Sequence, residues 1–134
     1  MGVIGGVLVT HGRLGEELLE AARRIVGDLP YLTCVSIGWN DDAAESRKRI
    51  AEAVKSVESG RGVLVLTDMF GGSPSNLAMP LLEKDRVEIV TGVNLPMVIK
   101  MANQAASDSL AEHARKVKEQ GRRHISVAGE LLGE

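Results

Sequence analysis

GVLVLTDMFGGSPSN, from Gly62 to Asn76, holds a strand, a strand end and a helix start in one run. Val63 to Leu66 is aliphatic without alternation, the pattern of a strand buried on both faces of a parallel sheet. The apolar run stops at Thr67 and Asp68, which places the predicted strand at Gly62 to Asp68. Two glycines and Ser73-Pro74 follow. Ser73 is the expected N-cap, and Pro74 suits the first helical position, where its missing N–H is not needed.

The amino end repeats the plan. Val3 to Thr10 is a continuous apolar stretch ending at His11 and Gly12. Leu14, Leu18, Leu19, Ala22, Ile25, Val26 and Leu29 then recur at helical spacing, with Gly27 and Pro30 as stops. Further along, Leu32 to Trp39 is a predicted strand and Asp41 or Asp42 caps a helix to about Glu58. The helix after Ser73 extends to about Glu83, shortened or distorted by Pro80. Val87 to Gly92 is a fourth strand, Pro96 opens a helix through about Ala106, and Ser107 or Asp108 begins a last helix ending near Gly121. A short final strand is expected at His124 to Ala128.

Strand and helix alternate from end to end, which predicts an α/β fold of three layers, doubly wound around a mostly parallel sheet. Its late edge strand pairs at an edge or with a second subunit. One domain over residues 1–134 is expected.

Composition agrees. The 134 residues are 44% hydrophobic and 25% charged, ordinary for a globular domain, and only 2% aromatic, so aliphatic side chains fill the core. Sixteen basic against eighteen acidic residues leave a net charge of −2, which, with so few rings to stack bases, argues against a nucleic-acid partner. The single cysteine, Cys34, lies in an apolar stretch and reads as a buried, reduced thiol. MGVIGGVLVT has no basic n-region and is too short and glycine-rich for a signal peptide or a span, so a cytoplasmic location is expected.

In an open parallel sheet, ligands gather outside the carboxyl ends of the strands. His11, Asp68 and Gly92 all fall at such ends. If the first and third strands are neighbours, His11 and Asp68 meet at one rim, with GGSPSN beside them. A neutral imidazole is a nucleophile near pH 7, and a carboxylate on one ring nitrogen fixes the tautomer and steadies positive charge. Gly71 and Gly72 allow close backbone approach, while donors at Gly72 and Ser73 suit phosphoryl oxygens. His11, Asp68 and Ser73 are therefore the candidate catalytic set.

Rival readings fare worse. A nucleotide site lacks both GxGxxG after the first strand and GxxxxGK[ST]. A metal or tetrapyrrole site on His11 with His113 or His124 is disfavoured, because His113 sits in the charged segment AEHARKVKEQ, where a solvated histidine is expected. No metal and no cofactor are expected. Arg47, Lys48 and Arg49 read as a solvated helix face, and Met69 and Met97 as core or rim.

Three blocks together, THG at Thr10 to Gly12, TDMFGGSPSN at Thr67 to Asn76 and GVNLPM at Gly92 to Met97, resemble the mannose-type enzyme IIA domains of the bacterial phosphoenolpyruvate-dependent sugar phosphotransferase system. The resemblance covers nearly the whole chain. It implies a phosphotransferase that accepts a phosphoryl group from HPr onto His11 and passes it to a IIB component for sugar uptake, with IIC and IID membrane components served indirectly. It implies that Asp68 hydrogen-bonds the His11 ring, that Ser73 helps bind the phosphoryl group, and that Asn94 lies beside the site as a further phosphoryl-binding candidate. It also implies a homodimer that exchanges its last strand. A regulatory module of the same system, phosphorylated but not transporting sugar, would use the same residues. Phe70 stands where many relatives have tryptophan and Ser75 where phenylalanine is frequent; both substitutions are expected to alter the rim that meets partner proteins.

Overall fold

The computed structural model describes residues 2–133. Four strands, β1 (Gly5–His11), β2 (Leu32–Ile37), β3 (Val63–Thr67) and β4 (Val87–Thr91), form one sheet in the order β2-β1-β3-β4. Every pairing is parallel. The helices are α1 (Leu14–Val26), α2 (Ala43–Val57), α3 (Ser73–Ala78), α4 (Leu95–Lys100), α5 (Leu110–Arg123) and α6 (Ala128–Leu131).

The two faces of the sheet are distinguished by residue type. On β1 and β3, Leu8, Leu64 and Leu66 enter one core with residues of α1, α4 and α5, while Val7, Val9, Val63 and Val65 enter the other against α2. Successive strand side chains point to opposite faces, so a run that looks uniformly apolar is two interleaved core surfaces. At register Val9↔Thr67, β1 and β3 are direct neighbours.

Connections leave β1 in opposite directions. Chain passing through α1 on the leucine face reaches β2, and chain passing through α2 on the valine face crosses back over β1 to β3. The sheet therefore switches direction between β1 and β3, where a crevice opens at the carboxyl ends. Thr10 secures the exit from β1, its buried Oγ1 accepting from the Gly15 N–H at 2.7 Å.

Several ends differ from expectation. α3 starts one residue earlier: Gly72 occupies the cap position, its carbonyl accepts from the Asn76 N–H at 2.9 Å, and the Ser73 hydroxyl makes no cap. Pro80 does shorten the helix, which ends at Ala78 and passes into a 3₁₀ turn at Met79–Leu81. α4 stops at Lys100 rather than Ala106, because the chain turns back at the amino end of the sheet. There Gln104 accepts from the Ile4 N–H (2.9 Å) and donates to the Ile4 carbonyl (2.8 Å). α5 begins after Ser109, whose side chain and that of Glu112 cap each other's backbone.

The final strand does not form. His124 to Val127 lie outside any sheet and lead into α6; Ile125 and Val127 are 74% and 63% exposed. Within a single chain this segment has no ladder partner for its backbone groups. His113 is also corrected: it is fully buried, since Leu110, His113, Ala114 and Val117 share the inward face of α5. Its Nε2 lies 3.3 Å from Met101 Sδ in the leucine-face core, across the sheet from the His11 cleft. Met97 belongs to that same core and not to the rim.

Candidate functional site

His11 is the last residue of β1, and Asp68 follows β3 directly. Asp68 Oδ2 accepts from the His11 backbone N–H at 2.9 Å and lies 2.8 Å from His11 Nδ1. Two bonds to a single oxygen anchor the backbone of residue 11 and one nitrogen of its ring. With Nδ1–H donating to the carboxylate, Nε2 is the free nitrogen, the tautomer a nucleophile requires. The imidazole side chain is 25% exposed and the carboxylate 10%, so the pair is sheltered but open to an incoming group. Asp68 Oδ1 is buried and has no hydrogen-bond partner among the described residues.

His11 lines a cleft of about 280 Å³ between α2 and α3, together with Trp39, Ser46, Ser73, Asn76 and Leu77 among others. Gly72 lies against the ring: a Cβ there would come within 2.9 Å of His11 Cε1 and 3.2 Å of Met69 Cγ. Any side chain at this position displaces the imidazole or is displaced by it. Gly71 has φ 85°, and its carbonyl accepts from Asn76 Nδ2 at 3.2 Å, which holds the glycine loop on α3.

The structure thus brings His11, Asp68, Gly72 and Ser73 together. Asn94 is elsewhere engaged. It caps α4, accepting from the Met97 N–H and donating to the Gly121 carbonyl, both at 3.2 Å, and so joins α4 to the end of α5. Its loop reaches the site indirectly, through the Val93 N–H donating to the Thr67 carbonyl at 2.9 Å. Ser75 is fully buried and so is no part of the rim, whereas Met69 (56%) and Phe70 (72%) stand out from it.

The strand expected over Leu32 to Trp39 ends at Ile37, and Trp39 stands beyond it. Its ring centroid is 5.3 Å from that of His11, with planes 25° apart. A signal existed in the sequence: the only tryptophan of an aromatic-poor chain follows directly on a parallel strand's carboxyl end.

A larger groove, of about 510 Å³, runs along α5 past Lys100, Arg115, Lys116 and Arg123. It is walled by solvated charge and holds none of the strand-end residues. Size does not make it the reactive cleft. Cys34 is half-buried, and burial raises its thiol pKa, which leaves it less reactive. Among the described residues no helix is long and apolar enough to cross a membrane.

Known proteins are similar to this chain in sequence and in fold. The family model described as PTS system fructose IIA component, EIIA-man, matches residues 5–118. The PTS system mannose-specific EIIAB component of Escherichia coli (strain K12) is 30% identical over 95 residues, 70% of this chain, and this match spans 29% of that protein's length. The PTS system sorbose-specific EIIA component of Lacticaseibacillus casei is 27% identical over 118 residues, 85% of each chain. The solved mannose/sorbose specific IIA subunit of the phosphotransferase system from Enterococcus faecalis superposes with a TM-score of 0.82 at 28% identity, over 93% of this chain and 94% of that one. With β1, the His11–Asp68 rim and the GGSPSN loop all inside the matched span, the chain belongs to the EIIA-man family, the mannose-type IIA components of the sugar phosphotransferase system.

Proposed function

We propose that this chain is a phosphoryl carrier: His11 Nε2 takes a phosphoryl group from HPr and gives it to a IIB component, with IIC and IID membrane components receiving the benefit indirectly. The observation that carries the reading is the His11–Asp68 pair at the switch between β1 and β3, with Nδ1 held at 2.8 Å and Nε2 left free over a cleft. In the forward step the Nε2 lone pair forms a bond to phosphorus as the donor's N–P bond breaks, and the electron pair returns to the donor nitrogen. The Nδ1 proton stays on the ring, hydrogen-bonded to Asp68. The positive charge this leaves on the imidazole is opposed by the carboxylate. Gly71, Gly72 and Ser73 are the proposed phosphoryl-binding residues, supported by the approach of Gly72 to the imidazole edge and by a Ser73 hydroxyl uncommitted to capping its own helix. Asn94 contributes by holding the corner that supports the end of β3.

Exposed Trp39, Met69 and Phe70 give the cleft an apolar rim, the surface a protein donor or acceptor needs and a small substrate does not. We also assign the exposed segment after α5 to contact with a second copy of the chain. The test of the carrier role is incubation with phosphoenolpyruvate, enzyme I and HPr. Acid-labile phosphohistidine is expected in the wild type and none in His11→Ala; an unlabelled wild type sinks the reading.

A further inference from the structure

We infer that Trp39 is a positioning residue for the phosphoryl step, a role that rests on His11 being the acceptor. Asp68 holds the imidazole through one ring nitrogen, and a single hydrogen bond leaves the ring plane free to rock about that axis. Trp39 closes that freedom from one face, at 5.3 Å and 25°, and the Gly72 backbone bounds the Cε1 edge. Between them Nε2 is aimed into the cleft.

The loop that carries the indole is itself braced. Its loop turns between Gly38 and Asp41, with the Gly38 N–H donating to Asp41 Oδ2 at 2.7 Å. Arg49 of α2 lies 3.6 Å from the same carboxylate and donates to the Ser36 carbonyl of β2 at 3.1 Å. A chain of polar contacts thus ties the loop to both a strand and a helix. The side chain it carries nonetheless remains 82% exposed, so core burial does not account for its place. Covering the one imidazole in the chain that borders the cleft does. When the phosphoryl group arrives at Nε2 with the proton kept on Nδ1, positive charge develops under the indole face, where a π-system stabilises it.

Because Trp39 is the only tryptophan, the stack is visible without any phosphoryl donor. The near-ultraviolet circular dichroism of the tryptophan and its quenching by acrylamide are compared in wild type and His11→Ala. The fixed-ring signal is expected to collapse, and the quenching to rise, when the imidazole is removed; an unchanged spectrum overturns the proposal. Kinetics of transfer from HPr supply the second arm. Trp39→Ala is expected to lower kcat by about two- to fivefold, and Trp39→Phe, which keeps a ring face, to recover most of it. A rise in KM alone, or a phenylalanine variant no better than alanine, overturns the positioning role and leaves Trp39 a docking residue. An unlabelled wild type overturns the carrier reading and this role with it; a labelled wild type with either contrary result overturns this role alone.

Discussion

Asp68 receives two N–H groups of residue 11 on one oxygen, so its contribution divides into geometry and charge. Asparagine separates them. Its carbonyl oxygen can accept both bonds, but it brings no negative charge to the ring, and its NH₂ falls where Oδ1 is now buried without a partner. A hydrogen bond to a charged acceptor is worth roughly 1 kcal/mol more than a neutral one, so Asp68→Asn is expected to slow phosphoryl transfer about fivefold. The orphaned donor costs about 1 kcal/mol of stability, leaving the fold intact. Rapid-quench transfer assays and thermal unfolding measure the two effects, and an unchanged transfer rate removes Asp68 from the mechanism. That His11 and Asp68 stand at strand ends was legible in the sequence, as was the place of Ser73 at the start of the helix after β3. For Trp39 the sequence marks a ring near a strand end but not its place over the imidazole, which depends on how the Gly38–Asp41 turn folds.

Elements were legible in proportion to their local signals. The uninterrupted aliphatic runs of β1 and β3 announce strands buried on both faces, and the missing N–H of Pro80 marks the break that ends α3. The start of α5 lies just past the expected Ser107 or Asp108, at Ser109-Leu-Ala-Glu112, which carries the S-x-x-E pattern of a capping box. The end of α4 carried no such mark, since what stops it is Gln104 binding the backbone of Ile4, 100 positions away. The segment after α5 is the remaining case. Its apolar residues gave a strand-like pattern, yet Ile125, Val127, Leu131 and Leu132 are all exposed within the single chain. If a second copy covers them, light scattering is expected to report a dimer. Ile125→Asp with Val127→Asp is then expected to weaken it by at least about a hundredfold while leaving the α/β circular dichroism unchanged. A wild type that stays monomeric at high concentration removes the second copy from the account.

For the whole molecule, the doubly wound architecture creates the site and also sets a condition on stability. Alternation of strand and helix predicted the architecture. Adjacency of β1 and β3 is what turns two distant polar residues into a pair, and local pattern does not carry it. The other face of the same sheet buries His113. The charged segment around it pointed to a solvated ring, but helical spacing turns that residue inward with Leu110, Ala114 and Val117. Desolvation pushes its pKa down from the ordinary 6.5 to about 4; the Asp108 carboxylate opposes the shift, while Lys100, Arg61 and Lys116 reinforce it. Nδ1 is buried and has no hydrogen-bond partner among the described residues, consistent with a neutral ring. Above pH 6.5 the ring is mostly neutral folded or unfolded, and the residue adds little pH dependence. Between pH 6.5 and 4 the unfolded chain binds a proton that the folded chain refuses, so stability falls as pH falls, by about 2 kcal/mol between pH 7 and pH 5. Against a total of roughly 5–15 kcal/mol that loss is large. His113→Leu keeps the volume, removes the orphaned nitrogen and cannot titrate. Urea unfolding at the two pH values is therefore expected to show a drop in the wild type that is smaller in His113→Leu by about 2 kcal/mol, and equal drops in the two proteins would show that the buried imidazole does not govern the acid sensitivity of the fold.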